Sequence, residues 1–158
     1  MNPPATHKLI LNIKRVIRAP RSLVFAAFAS VEELKKWLVP GGCHVIDGKM
    51  DFCVGGTYRF TMYTTDFGEA ELIGTYQEIV QNERICYTWT WRSNPVMEPW
   101  GEMLVTVQLA GHADGTQVTL AHEGLINEHV RDGHDLGWNG SFDKLASCFD
   151  ASPDDRTK

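Results

Sequence analysis

The chain has 158 residues and a formal net charge of −5, from 15 Lys+Arg against 20 Asp+Glu. A phosphate backbone is gripped by a basic face, so this balance excludes an obvious nucleic-acid binder. No apolar run reaches the length of about 18 residues that a membrane span needs, and the length suits one domain that buries roughly 68–70% of its unfolded surface.

The first residues, "MNPPATHK", are polar and proline-rich. They lack the apolar centre of a signal peptide, which predicts a cytoplasmic protein. Residues 7–17 read as a strand, because Leu9, Leu11, Ile13 and Ile17 share one parity, although Ile10 and Val16 weaken the alternation. Residues 19–30 read as a helix with Pro20 in its first turn and Leu23, Val24, Ala27 and Phe28 at helical spacing. A second short helix, 30–38, opens on the capping box Ser30-x-x-Glu33 and stops at Pro40-Gly41-Gly42.

After residue 42 the pattern turns to strands. "HVIDGKMDF" and "TYRFTMYTTD" are separated by the turn Gly55-Gly56; "EAELIGTYQEIV" leads through "QNE" into "RICYTWTWR", where Ile85, Tyr87, Trp89 and Trp91 alternate strictly. A two-proline loop, 93–99, precedes "GEMLVTVQL", with Met103, Val105, Val107 and Leu109 on one face. "HADG" then makes a hairpin into "TQVTLAHEG", which aims Val118, Leu120 and His122 to one side. Short turns between successive strands predict an antiparallel sheet.

The last element, about 127–149, is a long helix with Asn127 as N-cap and Glu128, Asp132 and Asp135 near its positive end. Trp138, Phe142, Leu145 and Phe149 form its apolar stripe, and Gly133, Gly137 and Gly140 a small-residue strip beside it. A helix-interior glycine costs about 1 kcal/mol relative to alanine. The strip therefore predicts a place where the sheet, or a bound molecule, comes close. Residues 151–158 read as a polar tail after a core of about 7–150, all within one domain.

Chemistry-bearing motifs are sparse. The six histidines, His7, His44, His112, His122, His129 and His134, form no H-E-x-x-H and no zinc-ligand spacing, so neither a metal nor a cofactor is expected. Cys43, Cys53, Cys86 and Cys148 contain no C-x-x-C pair and read as reduced thiols. There is no G-x-S-x-G nucleophile. Glu69 and Glu71 share a strand face and read as a solvated edge.

The segments "APRSLVFAAFASVEELKKWLVP", "DFCVGGTYRF", "GTYQEIVQNERICYTWTW", "DGTQVTLAHEGL" and "HDLGWNGSFDKL" occur in this order over about residues 10–149. In that ordered set the chain resembles the single-domain homologues of the activator of the heat-shock-protein-90 ATPase, within the START-like (SRPBCC) superfamily. The resemblance implies an α+β helix-grip fold: a curved antiparallel sheet wrapped around the C-terminal helix, with two short helices after the first strand. It also implies a cavity between sheet and helix that takes a small apolar or aromatic molecule. On the sheet side the candidate ligand-binding residues are Tyr58, Phe60, Trp89, Val107 and Leu120, with His122 as the polar contact. Gly137 and Trp138 are the candidates on the helix, and Trp37 on the short-helix segment.

The leading expectation is a cytoplasmic binding module. Its alternatives are an enzyme of polyketide-cyclase type, in which His122 or a pocket tyrosine moves a proton, and a co-chaperone-like interaction domain. A homodimer and a chaperone are the protein partners these alternatives admit.

Overall fold

The structure, a computed structural model, describes residues 8–39 and 42–150. Strand β1 (Leu9–Ile17) is followed by helices α1 (Arg21–Ala26) and α2 (Val31–Leu34). Six strands come next: β2 (His44–Met50), β3 (Thr57–Thr64), β4 (Gly68–Val80), β5 (Arg84–Arg92), β6 (Met103–His112) and β7 (Gly115–Leu125). Helix α3 (Glu128–Phe149) closes the order. All pairings are antiparallel, and the sheet runs β1-β7-β6-β5-β4-β3-β2. This is the expected α+β helix-grip arrangement. No helix among the described residues is long and apolar enough to cross a membrane, and all four cysteines are free thiols.

The sheet curves where its ladders slip. Register shifts fall at Val45/Asp47, at Tyr76/Glu78 and at Leu9/Ile10, the last skipping Gly124 of β7. Each inserts an unpaired residue, which bends the strand and raises its twist. Between β4 and β5 side chains take over from the ladder. Thr75 donates its backbone N–H to Thr88 Oγ1 at 2.8 Å, and the Thr88 carbonyl accepts the Tyr58 hydroxyl at 2.5 Å. Gly74 makes room for this exchange, since a Cβ there would lie 2.1 Å from the Thr88 carbonyl oxygen and 2.4 Å from the Tyr58 ring.

Both short helices are shorter than their patterns predict. In α1 the helix ends at Ala26, leaving Ala27 and Phe28 buried in the turn that follows. In α2 the expected cap forms, Glu33 N–H donating to Ser30 Oγ at 3.2 Å, but the Glu33 carboxylate pairs with Lys36 Nζ at 2.8 Å. Regular helix ends at Leu34. Beyond it the Trp37 indole donates to the Ala27 carbonyl at 3.0 Å and its ring stacks on Phe142 of α3, centroids 6.1 Å apart. The stop assigned to Pro40-Gly41 lies outside the described residues.

Helix α3 begins as predicted, with Asn127 accepting the Val130 N–H at 2.8 Å. Its buried stripe contains Trp138, Phe142 and Leu145, and extends back one turn to His134 and another to Val130. Phe149 is only partly buried. Ser141 Oγ donates to the Leu38 carbonyl at 2.5 Å and ties the helix to the segment after α2. The core lies between this stripe and the inward residues of β1 and β3–β7.

Candidate functional site

Two histidines organise the inner wall under the first half of α3. Trp138 donates its indole N–H to Nδ1 of His122 at 3.0 Å. An indole can only donate, so the proton of His122 resides on Nε2, which faces Met103 Sδ at 3.3 Å. Trp91 likewise donates to Nε2 of His134 at 3.1 Å, and Nδ1 of His134 donates to the Val130 carbonyl at 2.8 Å. Each ring is therefore held in one neutral tautomer, and the two ring centroids are 4.8 Å apart. Burial holds His122 well below the ordinary histidine range, with a smaller push from His134. Burial also lowers His134, against a partial opposing pull from its bond to the Val130 carbonyl. Protonating either ring would set an N–H against the indole N–H it now accepts.

Trp89 packs among these groups, its ring centroid 5.2 Å from both His122 and Trp138. Its buried Nε1–H has no hydrogen-bonding partner among the described residues. Leaving such a donor unpaired costs about 1–3 kcal/mol.

Next to this wall lies a cavity of about 460 Å³. Its floor is Trp89, Trp91 and Met62 of the sheet. Helix α3 contributes Val130, Gly133, His134, Gly137, Trp138 and Ser141. The remaining sides come from Leu38, Val39 and Cys43, from the β3–β4 turn, and from Met97 and Trp100 of the loop before β6. Phe67, Asp66, His129, Asp132 and the 77%-exposed Leu136 mark its mouth. The volume falls within the usual range for small-molecule sites, and the mostly apolar wall with few polar groups is typical of them.

Two glycines of the predicted strip, Gly133 and Gly137, border this space, whereas Gly140 is not part of its lining. A Cβ built on Gly133 or Gly137 would meet no atom within 4 Å. Close helix-to-sheet contact is thus not what requires glycine at these two positions. The absent side chains leave volume beside the Trp138 ridge.

Of the residues predicted to surround a ligand, Trp89, Gly137 and Trp138 come together on the cavity wall. The others stand elsewhere. Val107 and Leu120 are fully buried in the sheet-helix core, because they are on the far side of β5 from the cavity. Trp37 is consumed by its contacts with Ala27 and Phe142. Tyr58 and Phe60, with Tyr76 and Tyr87, line a separate void of only about 20 Å³. His122 is fully buried behind Trp138, its ring nitrogens already occupied, so the expected polar contact is not on the wall. Of the two histidines only His134 lines the cavity, and both of its ring nitrogens are likewise bonded, to Trp91 and to the Val130 carbonyl. Sequence reading missed His134, with Trp91, Trp100, Met62 and Met97. The available signal was spacing: His134 stands four residues before Trp138 and extends the same stripe.

Burial raises the phenols of Tyr58, Tyr76 and Tyr87 above their ordinary range. Glu71 pairs with Ser93 Oγ and Arg59 at 2.8 and 3.0 Å on the exposed surface; its face is solvated as expected, but β4 is an interior strand between β5 and β3, not an edge. Among the described residues no group of three or more His, Cys, Asp or Glu is placed to hold a metal ion.

The same architecture recurs in solved structures. A Chromobacterium violaceum protein is 29% identical, with 91% of this chain and 99% of that one covered and a TM-score of 0.75. A Rhizobium loti protein is 26% identical, over 89% and 96%, with a TM-score of 0.75. A Silicibacter pomeroyi protein described as AHSA1 is 21% identical over 88% and 96%, TM-score 0.73, and shares the fold. No curated protein matches the chain. Residues 18–150 match the family profile described as Activator of Hsp90 ATPase homolog 1-like protein, and the chain belongs to that family.

Proposed function

We propose that the protein is a cytoplasmic binding module for a small apolar or aromatic molecule held between the sheet and the first half of α3. The observation that carries this reading is the cavity itself: about 460 Å³, walled by four of the chain's five tryptophans. Transfer of apolar ligand surface out of water contributes about 25 cal/mol per Å². Native mass spectrometry of freshly purified protein tests the reading. A mass excess that disappears on denaturation and extracts into organic solvent supports it. A chain of bare mass that also fails to take up added apolar molecules opposes it.

The enzyme alternative has less to stand on. His122 is sealed from the cavity and neutral, and the buried tyrosines adjoin the smaller void. The interaction-domain alternative draws on one observation, the apolar Leu136 and Phe67, 77% and 37% exposed at the cavity mouth. Stimulation of a chaperone ATPase by the purified protein, lost in Leu136→Asp, would favour it.

A further inference from the structure

We infer that the cavity selects organic cations: a ligand with an apolar or aromatic body and an ammonium group held at the mouth. This rests on the binding role proposed above and names the charge of its ligand.

The interior is lined by Trp89, Trp91 and Trp138, while Trp100 and Phe67 form an aromatic pair at the rim, centroids 5.7 Å apart and nearly perpendicular. Tryptophan is the best cation–π partner, and desolvated sites strengthen the attraction. Among the described residues no lysine or arginine lines the cavity, whereas Asp66 and Asp132 both do. An anionic ligand would find no lysine or arginine on the wall, and at the entrance two carboxylates beside His129. A cationic ligand finds aromatic side chains around its body and, at the mouth, the Trp100–Phe67 pair and carboxylates around its ammonium, which retains part of its hydration there. Asp132 shares its carboxylate with Arg131, Nη2 to Oδ1 3.2 Å. Asp66 therefore contributes the larger share of the attraction.

Two probes of matched shape, phenethyltrimethylammonium and the neutral hydrocarbon with carbon in place of the ammonium nitrogen, separate charge from hydrophobicity, and hydrocinnamate serves as the anionic phenylalkyl probe. Each is titrated against tryptophan fluorescence at low salt and about pH 8. The cation should bind at least about fivefold more tightly than the hydrocarbon, with the carboxylate weakest. Asp66→Asn should weaken the cation about threefold, Asp132→Asn less, and neither should change the hydrocarbon. If the hydrocarbon binds as tightly as the cation, the charge preference is wrong and the binding role stands. Equal weakening of both probes in Asp66→Asn also overturns the charge assignment. If none of the three binds, both the preference and the binding role fail.

Discussion

The indole N–H of Trp138 ends on Nδ1 of His122, 3.0 Å away and fully enclosed. One bond thus fixes both a helix on its sheet and one wall of a cavity. Trp138→Phe keeps most of the ring but strands the histidine acceptor, which should cost about 1–3 kcal/mol. Trp138→Ala removes the packing as well and should cost about 3–5 kcal/mol. Thermal melts of the two variants check this ordering, at roughly 2–4 °C for each kcal/mol. Equal melting temperatures for Trp138→Phe and the parent would mean that the bond carries no net stability.

Acid should loosen the same region. Folding lowers the affinity of His122 and His134 for protons, so between their folded values and about 6.5 the unfolded chain binds more protons. Stability is therefore complete above that range and falls as the pH drops through it, by up to about 1.4 kcal/mol per pH unit for each histidine. Denaturant unfolding across mildly acidic pH measures the slope. His134→Gln should reduce it by about half, and an unchanged slope in that variant would show that other groups titrate.

Removing α3 from Gly133 onward deletes His134, Trp138, Phe142 and Leu145 from the core. Burial of two large aromatics alone contributes several kcal/mol, against a total stability of about 5–15 kcal/mol. The truncated chain should lack a cooperative melt in circular dichroism. A soluble, sharply melting product would show that the sheet stands without its helix.

Strand periodicity made the sheet legible, because one face of each strand is buried and parity reports that face directly. Ile85, Tyr87, Trp89 and Trp91 are all buried as their alternation implies. The long helix was legible from Asn127 and the stripe at Trp138, Phe142 and Leu145. The cavity was not. Parity says that Val107, Leu120 and Trp89 point inward, but not which part of the interior is left unfilled. That depends on where α3 ends its close contact and on three connecting segments, none of which has a periodic signal. His134 was hidden for a related reason: a histidine interrupts an apolar pattern even when its ring is buried and both nitrogens are bonded.

Chelation gives a further check. With no ligand cluster among the described residues, EDTA should leave the melting temperature unchanged. A drop of several degrees that zinc restores would reveal a site assembled in some other way.

The central claim is that the space beside Gly133 and Gly137 exists to hold a small molecule. The most direct measurement is binding of a neutral solvatochromic dye to Gly137→Leu and to the parent, together with their melting temperatures. A Cβ at Gly137 meets nothing, and leucine is the better helix former by about 0.8 kcal/mol, so the fold should be as stable or more so. The leucine side chain enters the cavity, and dye affinity should fall at least about tenfold, equivalent to about 1.4 kcal/mol. Unchanged dye binding in a stably folded Gly137→Leu protein would contradict the account.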